Sequence, residues 1–136
     1  MSPRKRIVLA DDHIEMLQEV RALLSGDYEI VATAEDGEQL VKKAKEFNPD
    51  LIVSDISMPE MTGFEAAAKI REMGLLTKII FLTVQSSSAY IKKARALGAS
   101  GYVLKVYTTE QLPLAISAVL AGHSYVSPEL KSPAWT

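Results

Sequence analysis

The chain has 136 residues, 48% of them apolar and 24% charged, with a formal net charge of −2 and no cysteine. That length and apolar content suit one domain with a packed core, and they exclude collagen-like, disordered and disulfide-stapled classes. No apolar run reaches the ~18–20 residues that cross a bilayer. The opening Met1-Ser-Pro-Arg-Lys-Arg-Ile lacks the apolar stretch of a secretory signal, and a slight acidic excess is not the basic surplus of a nucleic-acid surface. The expectation is a soluble cytoplasmic domain that itself contacts neither membrane nor nucleic acid.

Two apolar patterns alternate along the chain. Short continuous runs, Ile7-Val-Leu-Ala, Tyr28-Glu-Ile-Val-Ala, Leu51-Ile-Val-Ser, Ile79-Ile-Phe-Leu-Thr and Tyr102-Val-Leu, read as strands covered on both faces. Between them lie segments with helical spacing. Met16, Val20, Leu23 and Leu24 share one face, then Leu40, Val41, Ala44 and Phe47, then Ala67, Ile70 and Met73, then Ile91, Ala94 and Leu97, and finally Leu112, Ile116, Val119 and Leu120. Gly26, Gly74, Gly98 and Gly122 follow helical segments, where a left-handed residue is wanted. Asn48-Pro49-Asp50 closes the second helix, and Thr108 stands at capping-box spacing from Gln111 before the last. Met58 to Gly63 reads as a loop, with Gly63 supplying a turn before the third helix. Five strands alternating with five helices predict an α/β domain, a doubly wound parallel sheet with right-handed crossovers over residues 1–127. Residues 128–136 read as the start of a linker or a tail.

In such a sheet, ligands bind outside the carboxyl ends of the strands. The first strand ends in Asp11-Asp12, the third in Asp55, the fourth in Thr83 and the fifth in Lys105. Gathered carboxylates repel unless a cation joins them, and Mg²⁺ takes oxygen ligands while keeping several waters. Lys105 adds a point positive charge and Thr83 a neutral donor, both suited to phosphoryl oxygens. Asp55 is placed to attack phosphorus and become an aspartyl phosphate. Singly, each residue has an ordinary structural explanation, as a cap, a β-former or a snorkelling lysine. The combination at successive strand ends predicts a phosphoryl-transfer site.

With these residues in place, the sequence resembles a receiver domain of a two-component response regulator. The resemblance is carried by Ile7-Val-Leu-Ala-Asp-Asp-His, Val53-Ser-Asp-Ile-Ser-Met-Pro with Gly63, Phe81-Leu-Thr and Gly101-Tyr-Val-Leu-Lys, and it extends over residues 5–127. The Asp-Asp-His opening and the Ala121-Gly-His-Ser-Tyr-Val-Ser-Pro ending resemble the NarL/FixJ branch, whose members usually continue into a helix-turn-helix output domain. The resemblance implies a flavodoxin-like (βα)5 fold with strand order 2-1-3-4-5. It implies Asp55 as phosphoacceptor, and Mg²⁺ held by Asp12, Asp55 and the Ser57 carbonyl, with Asp11 acting through water. Lys105 would pair with the phosphoryl group, Thr83 would swing toward it, and Tyr102 would turn inward. These changes would bias the surface of the fourth helix, fifth strand and fifth helix. The implied donor is a sensor histidine kinase, and the implied role is a signalling switch with slow autodephosphorylation rather than an enzyme.

Two positions depart from the family pattern. Lys105 is followed by Val106 instead of proline, so a trans peptide or a local rearrangement is expected, since cis before a non-proline residue costs ~3 kcal/mol. Val84 stands where a smaller alanine is common, narrowing access to the site. A haloacid-dehalogenase-type phosphatase would want an acid where Ser57 stands, and a nucleotide-binding sheet would want a glycine-rich turn in place of Asp-Asp-His. His13 and His123 are expected exposed at helix ends, without acidic partners. The last helix has an almost uncharged second side, and Leu112, Leu114, Ala118 and Ala121 are its candidate interface residues. The resemblance to the NarL/FixJ branch implies homodimerisation through the first and fifth helices.

Overall fold

A computed structural model of the chain describes residues 3–130. The elements in order are β1 (Arg6–Ala10), α1 (Ile14–Leu24), β2 (Glu29–Ala34), α2 (Gly37–Phe47), β3 (Leu51–Ser54), α3 (Gly63–Glu72), β4 (Lys78–Thr83), α4 (Ser88–Ala96), β5 (Gly101–Leu104), a 3₁₀ turn (Lys105–Tyr107), α5 (Thr108–Leu120), β6 (Tyr125–Val126) and a second 3₁₀ turn (Pro128–Leu130). The strands pair in parallel in the order β2-β1-β3-β4-β5-β6. The expected five-strand order is present, with β6 added at the β5 edge. Residues 131–136, part of the expected linker or tail, lie outside the described residues.

The continuous apolar runs arise because each strand feeds two cores. Val8, Ala10, Ile52, Ile79, Phe81 and Tyr102 point to one face, against Leu40 and Ala44 of α2, Phe64 and Ile70 of α3, and Ile91 and Ala94 of α4. Ile7, Leu9, Leu51, Val53, Ile80, Leu82 and Val103 point to the other, against Leu17, Val20 and Leu24 of α1 and Leu112, Ile116 and Val119 of α5. The two-residue side-chain period of a strand divides the run between the faces. Phe64 and Phe81 meet edge to face, centroids 5.2 Å apart at 89°, an arrangement their ring quadrupoles favour.

Local signals fared unevenly. Gly74, Gly98 and Gly122 have positive φ, and Asn48 closes α2 in the left-handed region at φ 41°. Gly26 does not, because Ser25 closes α1 in the right-handed region and the chain leaves through a turn. The expected capping box at Thr108 does not form. Tyr107 is the N-cap, the Thr108 hydroxyl donates instead to the Lys105 carbonyl at 2.6 Å, and the Gln111 side chain bonds Ser127 and Glu129. A true capping box forms at α3, where Thr62 Oγ1 accepts from Glu65 N at 3.1 Å and the Glu65 carboxylate accepts from Thr62 N at 3.0 Å. Met73, read as core, is 39% exposed at the end of α3. The Lys105–Val106 peptide is trans, as expected.

Hydrogen bonds from the Thr62 backbone and side chain lower the Glu65 carboxyl from its ordinary 4.5. A carboxyl depressed in the folded state stabilises the fold above its unfolded pKa, and that contribution is lost as pH falls through the folded pKa. Thr62→Ala is expected to cost about 1 kcal/mol by denaturant titration near neutral pH. NMR titration of the variant is expected to show the Glu65 carboxyl moving up toward 4.5.

Candidate functional site

The register of β1 and β3 builds the rim. Ala10 pairs with Ser54, and the Asp55 N–H donates to the Ala10 carbonyl at 2.9 Å, so Asp11 and Asp55 leave neighbouring strands side by side. From β5, two strands away from β3, Lys105 Nζ reaches 2.8 Å from Asp11 Oδ2 and 2.9 Å from Asp55 Oδ2. Asp11 and Asp55 are buried, and Asp12 is more open. Ligand atoms of Asp11, Asp12, His13 and Asp55 all lie within 4.8 Å of one another.

Burial pushes the Asp55 carboxyl up, and the nearby Asp11 charge adds to this. The hydrogen bond and charge of Lys105 act in the opposite sense, and the net direction is upward. For Lys105 burial works against the charged form, but hydrogen bonds and charge attraction from Asp11 and Asp55 together hold its pKa above the ordinary lysine value. The ammonium is therefore firmly protonated. Asp11 and Asp55 pair with that ammonium and Asp12 lies close to both, so the cluster has an excess of carboxyl groups over lysine. Clustered carboxylate oxygens around such an excess fit a hard divalent cation such as Mg²⁺.

The loop after Asp55 is held by its own backbone. Gly63 N donates to the Ile56 carbonyl at 2.7 Å, and Met61 accepts at its carbonyl from Gly37 N at 2.9 Å. Any Cβ at Gly63 would collide with the Asp55 carbonyl, so only glycine lets α3 start this close to β3. Glu60 adopts φ 65° at the tip, a conformation uncommon outside glycine. Ser57 is exposed on this loop.

Thr83 and Tyr102 are buried behind the rim. Thr83 Oγ1 accepts from Gln85 N at 3.1 Å, while the Tyr102 hydroxyl donates to the Gln85 carbonyl at 2.7 Å. Both switch candidates are thus tied to one residue of the β4–α4 loop, and Tyr102 is already turned inward. Burial, with lesser contributions from Tyr90 and Asp55, raises the Tyr102 phenol well above its ordinary value, so it remains a donor.

Two expectations need correction. His13 is exposed at the start of α1 but does have acidic partners, with Nδ1 3.0 Å from Asp11 Oδ1 and 3.2 Å from Asp12 Oδ1. Adjacency in Asp11-Asp12-His13 was the signal. Leu112 is fully buried with Ile116 and Val119 and gives no surface to a partner. Leu114 is 60% exposed, Ala121 is exposed and Ala118 half-buried, so these three remain on the open side of α5.

A family model described as the response regulator receiver domain matches residues 7–117. The chain is 39% identical over 128 residues to the oxygen regulatory protein NreC of Staphylococcus aureus (strain JH9), covering 92% of this chain and 59% of that protein. It is 33% identical over 127 residues to the transcriptional regulatory protein DegU of Brevibacillus brevis, covering 92% of this chain and 54% of that one. It thus spans a little over half the length of these relatives. Among solved structures, a LuxR-family two-component response regulator from Aurantimonas sp. SI85-9A1 superposes with a TM-score of 0.89 at 36% identity, covering 93% of this chain and 92% of that one. The receiver domain of the response regulator NarL from Mycobacterium tuberculosis gives 0.85 at 29% identity, covering 90% and 100%. The matched range runs from β1 into α5 and includes Asp11, Asp12, Asp55, Thr83 and Lys105. By sequence and by fold, this chain belongs to the response regulator receiver-domain family.

Proposed function

We propose that the chain is a phosphorylation-dependent switch that accepts a phosphoryl group on Asp55 from a sensor histidine kinase. The observation that carries this reading is Lys105 Nζ lying 2.8 and 2.9 Å from the carboxylates of Asp11 and Asp55 at the carboxyl ends of the strands. An Asp55 oxygen attacks phosphorus, the bond to the donor's leaving group breaks, and an acyl phosphate remains on Asp55. Lys105 holds the phosphoryl oxygens by charge-assisted hydrogen bonds. Asp12, Asp55 and the Ser57 carbonyl would hold Mg²⁺, with Asp11 acting through water. When bound, the cation supplies the positive charge that lets a phosphoryl group approach this acidic rim. Slow loss of the phosphate completes the cycle, and the chain acts as a switch, not an enzyme.

Switching follows from the shared partner of Thr83 and Tyr102. Drawing the Thr83 hydroxyl toward a phosphoryl oxygen removes the acceptor of Gln85 N. The Gln85 carbonyl holds the Tyr102 hydroxyl, so the change is felt between β5 and the start of α4. The phosphoryl group biases this element through contacts it makes in only one arrangement. Readout runs through α1 and α5, where Leu114, Ala118 and Ala121 offer a homodimer surface. The name of DegU, a transcriptional regulatory protein, supports control of transcription, with DNA bound outside this chain and the phosphorelay cytoplasmic.

Incubation with Mg²⁺ and a small acyl phosphate is expected to add one phosphoryl mass to wild type and none to Asp55→Asn. Intact-mass spectrometry reads the result, and an equal gain in both proteins rejects Asp55 as the acceptor. Leu114→Glu is expected to abolish phosphorylation-dependent association in analytical ultracentrifugation while leaving phosphorylation itself intact. Val84, 71% exposed directly after Thr83, is expected to slow small donors. Val84→Ala should therefore be phosphorylated a few-fold faster, and equal rates would refute that role.

A further inference from the structure

The segment after α5 is wired into the backbone that carries Lys105. Ser127 is fully buried, and its backbone N–H donates to the Tyr102 carbonyl at 2.9 Å, extending the pairing of β6 on β5. Its hydroxyl oxygen accepts from Leu104 N at 3.0 Å and donates to Gln111 Oε1 at 2.6 Å. Gln111 Nε2 then donates to Glu129 Oε1 at 2.8 Å, and Leu130 packs against the core on the Tyr102 side.

Leu104 is the last residue of β5, and Lys105 follows it in the 3₁₀ turn. On the far side of Lys105, the Thr108 hydroxyl holds its carbonyl at 2.6 Å. The lysine backbone is therefore clamped in front by Ser127 and behind by Thr108. A long, flexible side chain reaches two carboxylates at 2.8 and 2.9 Å reproducibly only if its root is fixed. A buried hydroxyl with both its donor and acceptor engaged fixes position more strongly than one left to water, since loosening it strands polar groups inside the protein.

We propose that Ser127, oriented by Gln111, is a positioning residue for Lys105, so that the segment beyond α5 is a working part of the phosphoryl-transfer site. This rests on the reading that Lys105 serves the phosphoryl group. Linkage makes the effect reciprocal: whatever shifts Lys105 also shifts the hold on residues 127–130.

A double-mutant cycle tests this in the 136-residue chain. Rates of Asp55 phosphorylation by acetyl phosphate with Mg²⁺ are compared for wild type, Ser127→Ala, Lys105→Ala and the double variant. Ser127→Ala is expected to slow the reaction about tenfold, in keeping with the cost of small displacements at a reacting centre. In the Lys105→Ala background it is expected to change nothing further, as residues acting through one another do. Gln111→Met removes the amide and leaves the serine, and it should give a smaller slowing that also vanishes without Lys105. This second variant carries the test if Ser127→Ala fails to fold. Equal slowing in both backgrounds, or wild-type rates in both variants, overturns the proposal. A Lys105→Ala rate equal to wild type overturns instead the reading of Lys105 on which it stands.

Discussion

One ammonium between two buried carboxylates organises this molecule. Lys105 Nζ sits 2.8 Å from Asp11 and 2.9 Å from Asp55, and each of the three residues comes from the carboxyl end of a different strand. Burying a carboxylate is costly, and burying two side by side is worse, so the arrangement persists only because a cation stands between them. The parallel sheet delivers all three groups to one edge without any contact between them in sequence. The packing of the helices, the clamped loop after Asp55 and the short β5 strand serve to keep this triangle in shape.

That constraint explains how rigid and movable parts are divided. The Asp55 loop is fixed by Gly63 against the Asp55 carbonyl, by the Thr62–Glu65 capping box and by Gly37 on Met61. By contrast, Thr83 and Tyr102 meet at Gln85, through its N–H and its carbonyl, on a loop whose neighbours Val84 and Ser86 to Ser88 face outward. A switch needs a firm point of reaction and a softer element beside it. On the proposed reading, the firm point directly follows β3 and the softer element lies between β4 and α4.

Much of this was legible in the sequence because the signals are local or periodic. The continuous apolar runs announced strands covered on both faces, and the residues that ended those runs named Asp11, Asp55, Thr83 and Lys105 as neighbours. The features without a sequence signal are short or remote. β6 is two residues long and exists by pairing with β5, so no periodicity could mark it. Ser127 and Gln111 are 16 positions apart, and only the tertiary fold joins them. Leu112 lies on the same stripe as Ile116 and Val119, and its burial follows from that spacing more than from the lack of charge around it. Thr62 and Glu65 do carry the capping signature, but it sits at the end of the Met58–Gly63 loop pattern, which masks it.

β6 has a consequence for how copies of this chain can meet. An open parallel sheet offers its unpaired outer strands as templates for further pairing, a frequent route to unwanted aggregation. On the β5 side that template is covered by a two-residue strand, continued by Ser127 on the Tyr102 carbonyl and ending in a 3₁₀ turn that offers no ladder to extend. Continuous sheet formation between copies is thereby disfavoured at this flank, beside Tyr102. On the proposed reading, association there would proceed through side chains on helices, which can be made and broken, whereas a shared sheet would lock the copies together.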